Sequence, residues 1–291
     1  MAKVLDELVE QLGLERIEQN LFRGQSQDLG WGTVFGGQVL GQALSAAVQT
    51  VPEERQVHSL HAYFLRPGDV SKPIIYDVDR IRDGSSFTTR RVVAIQAGRP
   101  IFNLAASFQK RELGFEHHEP MPEVPPPESS PTEREHYARF GERAPHWHLL
   151  DASERPFELR LIDPPDDPIY PSPRRAQRKV WMRTTGPLPE TPALHAYLLA
   201  YVSDFAFITT ALLPHGVTGH APGMQVASLD HVMWFHHPVR VDEWLLYVMD
   251  SPAASGARGL VRGAVYSQDG RLVASTAQEG LIRMRKPGPS A

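Results

Sequence analysis

Two turn signals recur in this chain at one spacing. Gly98-Arg99, which precedes an alternating apolar run, has a counterpart in Gly270-Arg271, 172 residues on, and Pro67 has one in Pro238, 171 residues on. Agreement between unrelated landmarks marks an internal duplication with small gaps. Each copy reads in the same order. In the first, a helical run over 36–47 is followed by strand-like runs near 57–66, 73–82, 86–97 and 100–110. In the second, a helical run from Pro192 to Leu213 is followed by strand-like runs near 226–236, 243–250, 258–267 and 271–283. Strand-like lead-ins, Arg16–Phe22 and Arg178–Arg183, open the copies, and Asp83-Gly84-Ser85-Ser86 and Gln96-Ala97-Gly98-Arg99 have hairpin turn chemistry. One long helix and a mostly antiparallel sheet, present twice, make an α+β chain in which each helix covers a sheet face.

Prolines separate the copies: 13 of the 26 lie between Pro120 and Pro173. Proline donates to no ladder and breaks helices, so residues 116–175 read as a linker or surface wrap between an N-terminal repeat, 1–115, and a C-terminal repeat, 176–291. At 41% hydrophobic, each repeat can hold a real core. The net charge of -4 offers no basic field, so nucleic acid is not an expected partner. The lack of cysteine removes disulfides, thiolate nucleophiles and cysteine-ligated metals. Acids at helical spacing among the hydrophobes of Met1–Glu10 indicate an amphipathic helix rather than a signal peptide, and the last residues are not a Ser-Lys-Leu address. No uncharged apolar run reaches the ~18–20 residues of a membrane span. A cytoplasmic protein without membrane insertion is expected.

The best candidate for such a run is interrupted by Asp204, within Leu198-Leu199-Ala200-Tyr201-Val202-Ser203-Asp204-Phe205-Ala206-Phe207-Ile208. A carboxylate in such company loses its hydration, at several kcal/mol unless donors replace the water. With Thr191 as N-cap and Pro192 at the first position, Asp204 is expected well past the first turn. The alternative is a break near Ser203, with Asp204 capping a second helical piece. Ser228 and Gln278 are polar positions on strand faces that are otherwise partly apolar. Alternation places Ser228 with Asp230, Val232 and Trp234, and Gln278 with Leu272, Ala274 and Thr276. Comparing copies sharpens the contrast, because Gln278 falls opposite Ala106 and the helix from Thr33 to Val51 contains no carboxylate. A site built on the second helix would occur once per chain.

These segments resemble the type II acyl-CoA thioesterases, the TesB-like family. The resemblance covers nearly the whole chain and rests on Phe35-Gly36-Gly37-Gln38, on His58–Asp69, on Arg82–Arg90, on Leu199–Phe205 and on Ser228–His236. It implies a double hotdog fold: two tandem hotdog repeats, each a long helix packed on an antiparallel sheet, with the catalytic residues in the second. It also implies hydrolysis of fatty acyl-CoA to free acid and CoA without a cofactor, in a homo-oligomer. In such enzymes an Asp, a hydroxyl residue and a Gln hold the hydrolytic water, and the matching positions are Asp204, Ser228 and Gln278. Ser228 stands where the family usually has Thr, so its hydroxyl is kept with one restraint fewer on its rotamer. Asp204, its proton affinity raised by burial, would be the general base, with backbone N–H groups near the helix receiving the oxyanion.

Other signals are weaker. Arg90 and Arg91 near the Asp83–Ser86 turn could meet a CoA phosphate, or belong to a solvated strand edge. His58 is more easily a structural hydrogen-bonder than a base. His117-His118, His146-Trp147-His148 and His236-His237 lack acids at ligand spacing, so no metal is expected. Phe205, Phe207, Met233 and Trp234 are expected in the core, with lining of an acyl pocket as the alternative. There is no Gly-x-Ser-x-Gly elbow. The rival functions are a hotdog acyl-CoA hydratase or dehydratase, which needs an Asp and a His together, and a non-catalytic acyl-CoA binding protein.

Overall fold

A computed structural model of the chain describes residues 3–145, 148, 150 and 154–285. The first helix, α1 (Lys3–Leu12), turns Leu5, Leu8 and Leu12 into the core, as its amphipathic spacing requires. The lead-in expected as one run is instead a small hairpin, β1 (Glu15–Glu18) and β2 (Leu21–Gly24), folded back at Gln19-Asn20. Small and apolar residues surround α2 (Gly36–Val48), which is buried from Gly37 to Ala47. β3 (Arg55–Phe64), β4 (Ile74–Asp83), β5 (Phe87–Gln96) and β6 (Arg99–Lys110) complete the first copy. Ala97 and Gly98 take φ of 48° and 70°, two successive positive values that match a type I′ turn to the strand twist.

The proline-rich segment carries structure of its own. α3 (Glu133–Tyr137) starts at a reciprocal capping box between Thr132 and Glu135, and β7 (Phe157–Ile162) buries Phe157, Leu161 and Ile162 at the end of the sheet. The second copy follows as β8 (Gln177–Thr184), α4 (Pro192–Ser203), β9 (Met224–Ser228), β10 (Asp230–Phe235), β11 (Leu245–Ser255), β12 (Arg258–Ser267) and β13 (Leu272–Met284). β4 and β11 begin 171 positions apart, and so do β5 and β12. The duplication is therefore structural.

The strands form one antiparallel sheet in the order β1-β2-β4-β5-β6-β3-β10-β13-β12-β11-β8-β7, with β9 also paired to β13. The copies join edge to edge where β3 meets β10, with Leu60 opposite Met233. α2 and α4 pack against each other inside the sheet, and Leu40, Leu44, Leu199 and Val202 belong to one continuous core. This is the double hotdog.

The structure corrects the sequence reading in two places that position the site. The helix expected to run to Leu213 ends at Ser203, with Asp204 as its C-cap. Ala206 then takes φ of 56°, and a 3-10 helix covers Ile208–His215. Aromatic and β-branched residues give this stretch little helical preference of its own. Breaking it buries Phe207 and Ile208 while turning Asp204 toward α2. Thr191 does occupy the N-cap, with Pro192 next, but its hydroxyl makes no capping bond. Pro192–His215 is the one stretch among the described residues apolar enough to cross a membrane, and it is mostly buried inside the fold.

The strand expected over 226–236 is likewise broken, at Leu229. Ser228 pairs with Gly280 while Val232 pairs with Ala277, so four positions on one side face three on the other. Leu229 is the bulge residue: its N–H donates to Glu279 O, and its carbonyl accepts from Phe64 N–H. The extra residue reverses the alternation. Ser228 lies in phase with His231 and Met233, not with Asp230, Val232 and Trp234.

Candidate active site

Asp204 sits where the two copies meet, with its side chain 5% exposed. The Gln278 amide donates from Nε2 to Asp204 Oδ1 at 2.8 Å, and the Ser228 hydroxyl donates to the same oxygen at 3.4 Å. The third donor comes from the other copy. The backbone N–H of Gly37, in the first turn of α2, is directed at the carboxyl, where a helix has unpaired N–H groups and partial positive charge. Two glycines permit this approach. A Cβ on Gly36 would lie 2.6 Å from Asp204 Oδ2, and one on Gly37 would lie 2.2 Å from Tyr201 O. Burial raises the Asp204 carboxyl above the usual range, and the Gln278, Ser228 and Gly37 bonds offset only part of that rise. Gln278 Oε1 is buried without a partner.

The three residues singled out from the sequence therefore converge. A fourth, His231, was missed. It is fully enclosed, with Nδ1 3.8 Å from Asp204 Oδ1 and Nε2 3.0 Å from Ser203 Oγ. Burial pushes its imidazole down to about 3, so the ring is neutral. The signal was available: alternation puts His231 in phase with buried Met233, facing inward. The broken helix is held by the same group of residues. The Ser203 hydroxyl donates to Ala200 O at 2.9 Å, and the Tyr247 hydroxyl, itself 2.9 Å from Thr276 Oγ1, donates to Ser203 O at 3.1 Å.

Arg90 is not on a solvated edge, and its donors are not free for a phosphate. It is 1% exposed. Nε donates to Thr50 Oγ1, Nη1 to the carbonyls of Arg82 and Thr89, and Nη2 to Thr50 O and to Asp83 Oδ1. Alternation explains the place, because Arg90 is in phase with buried Thr88, Val92 and Ala94. His58 bonds Ser107 Oγ through Nε2 at 2.8 Å, the structural role expected of it. His236 bonds Ser275 similarly, and His146 and Trp147 lie outside the described residues. Among the described residues, no three His, Asp or Glu side chains are grouped as metal ligands.

Phe207 and Met233 are core residues, and Trp234 faces outward at 38% exposure. Phe205 instead joins Trp31, Phe35 and Tyr201 in an aromatic cluster beside Asp204. Phe205 and Ala206 also line a cavity in the second copy, walled by Leu159, Leu161, Val180, Met182, Tyr247 and Met249, with Glu133 and Arg178 as its polar members.

Comparison with known proteins identifies the family. The profile of a family described as "Acyl-CoA thioesterase" matches residues 170–281, and one described as "Acyl-CoA thioesterase N-terminal domain" matches residues 26–109. The chain is 46% identical to Acyl-CoA thioesterase 2 of Haemophilus influenzae over 287 residues, 97% of this chain and 99% of that protein. It is 42% identical to human Acyl-coenzyme A thioesterase 8 over 94% of this chain and 88% of that one. Among solved structures, an acyl-CoA thioesterase II, TesB2, from Mycobacterium marinum superposes with a TM-score of 0.78 at 42% identity, covering 96% of this chain and 99% of that one. A hot dog fold protein from Alicyclobacillus acidocaldarius, at 23% identity and a TM-score of 0.77, shares the fold. Identity at this level over nearly the full length, together with the double hotdog, makes the chain a member of the TesB-like, type II acyl-CoA thioesterase family.

Proposed function

We propose that this enzyme hydrolyses fatty acyl-CoA thioesters to free acid and CoA through a water molecule held by Asp204, Gln278 and Ser228. The observation that carries the reading is the convergence of the Gln278 and Ser228 donors on one oxygen of a buried carboxylate at the start of α2. A base needs a proton affinity high enough to take a proton and a partner set that fixes its lone pairs. Burial supplies the first for Asp204, and the three donors supply the second. The unpartnered Gln278 Oε1 is an acceptor for one proton of the water, and an Asp204 oxygen accepts the other. The water oxygen bonds to the thioester carbon, and its proton passes to Asp204. The oxyanion that forms is stabilised by the positive end of α2. Collapse breaks the carbon–sulfur bond, and the Asp204 proton goes to the departing thiolate. No cofactor enters and no acyl-enzyme forms.

The outward Tyr63 and Trp234 on adjoining strands suit a homo-oligomeric contact that light scattering would test. An Asp and a His do stand together here, as a hydratase would require. His231, however, is fully enclosed behind Asp204 with Nε2 engaged by Ser203, which keeps it from substrate, and enoyl-CoA hydration is expected to be undetectable. Free thiol release from a series of acyl-CoA esters tests the main reading. Asp204→Asn is expected to lower kcat about 10²–10⁴-fold with an unchanged circular dichroism spectrum. In H₂¹⁸O the label should enter the free acid without a burst of CoA. Undiminished turnover by the Asn variant would overturn the assignment.

A further inference from the structure

His231 poses a question that the hydrolytic water does not answer: which ring nitrogen carries the proton of this neutral imidazole. The end of α4 decides it. Ala200 O has lost its i+4 donor, because the helix stops and the Asp204 N–H turns to Val202 O. A buried carbonyl without a donor is costly, and the Ser203 hydroxyl supplies the bond, at 2.9 Å. With its hydrogen committed there, Ser203 Oγ can only accept from the imidazole 3.0 Å away. The proton therefore sits on Nε2. Nδ1, which has no hydrogen-bond partner, is left as a bare lone pair facing Asp204 Oδ1 across 3.8 Å.

We propose that Ser203 and His231 form a tautomer lock that withholds a hydrogen bond from Asp204 and so keeps the carboxylate basic enough to take a proton from water. The inference rests on Asp204 being the base. Were the proton on Nδ1, a closure of about 1 Å would make a charge-assisted bond to Oδ1 and stabilise the carboxylate. His231 acts through Asp204, as a positioning residue. Other groups facing the pair leave the balance to these two. β11 presents Tyr247, bonded to Ser203 O and Thr276. β10 presents Asp230, whose carboxyl turns away to Glu279 N–H. β13 and β9 present the neutral Gln278 and Ser228, α2 presents a backbone N–H, and β3 presents Ala62 opposite His231. Phe207 places its ring, tilted by 57°, 5.6 Å from the imidazole. Among the described residues no Lys or Arg pairs with Asp204.

Two measurements test the lock. Nitrogen-15 NMR of histidine-labelled wild-type enzyme should show His231 protonated at Nε2 only, and a proton on Nδ1 overturns the proposal without any variant having to fold. The second is the pH dependence of kcat/KM for Ser203→Ala. Removing Oγ strands Nε2–H without an acceptor and favours the neutral Nδ1–H form. That form donates to the carboxylate, so the acid limb should move down by about one pH unit. A lower kcat with the limb unmoved or moved upward would make Ser203 and His231 merely structural and sink the lock. Asp204→Asn in the same assay separates the two readings. If it stays active, the base assignment has failed. If it is inactive while the Ser203→Ala limb stays put, only the lock has failed.

Discussion

Removing the Gln278 side chain by Gln278→Ala should move the Asp204 proton equilibrium in the direction opposite to Ser203→Ala. Gln278 is 1% exposed, and its Nε2–H meets Asp204 Oδ1 at 2.8 Å. A hydrogen bond to a charged group contributes about 1.5–3 kcal/mol. It favours the ionised form, so its loss makes Asp204 hold its proton more tightly. At about 1.4 kcal/mol per pH unit, the acid limb of kcat/KM should rise by about one to two pH units. kcat on the plateau should fall as well, because Gln278 Oε1 no longer orients the water.

The same change has a signature in stability. Asp204 is already raised in the folded state by burial. Between its ordinary unfolded value and its folded one, the native state binds more protons than the unfolded state, so stability falls as pH rises through that window. The variant widens the window upward. Its deficit against wild type should be small at a pH below the wild-type folded value, where the carboxyl is protonated in both and only packing is lost. At a pH above the variant's folded value the deficit should have grown by roughly the 1.5–3 kcal/mol of the missing bond. Urea unfolding at the two pH values measures this directly. A deficit equal at both, or an acid limb that moves down, would refute the claim that Gln278 stabilises the ionised base.

Three more changes probe the surroundings. Arg90→Met should destabilise the fold by about 3 kcal/mol, since it strands the partners of a buried guanidinium, while leaving KM for acyl-CoA unchanged; a raised KM at unaltered stability would restore a phosphate-binding role. Gly37→Ala, whose Cβ would lie 2.2 Å from Tyr201 O, should cost about 1–3 kcal/mol and lower kcat by pushing α2 off Asp204. Gly41→Ala, where the nearest atoms are 3.1 Å away, should be milder on both counts in the same unfolding and rate assays.

The fold was legible because period-two runs and hairpin turns repeat at a fixed spacing, and a duplication leaves little freedom in topology. The break after Ser203 was legible only as the alternative reading, and the bulge at Leu229 not at all. An apolar run reads as one helix until burial of Phe207 and the meeting of Asp204 with α2 outweigh the helical bonds given up, and no local signal decides that competition. A bulge is a mismatch between partners, so the run around Leu229 carries no mark of it, and the phase of Ser228 came out reversed. Arg90 and His231 were legible in principle. Each lies in phase with residues that are plainly core; charge alone suggested the surface for Arg90, and His231 drew no reading.

The inner face of the sheet also shows why a duplicated fold has one site. Arg90 stands opposite Ala106 on β5 and β6, and Val261 stands opposite Gln278 on β12 and β13, the same rung in the two copies. Each copy thus buries one polar side chain there, on exchanged strands. In the first copy it is a guanidinium whose donors are bonded to Thr50, Arg82, Thr89 and Asp83, which ties the end of the helix to a hairpin and leaves nothing to spare for chemistry. In the second it is an amide with one end on Asp204 and the other unpaired. The first copy nonetheless contributes to that site. With no acid of its own to receive the N–H groups at the start of α2, it can direct one across the interface, and two glycines bring that helix end within reach of the carboxyl of the other copy. A single repeat would hold either the acid or the helix end that steadies it, so the unit of function is the pair.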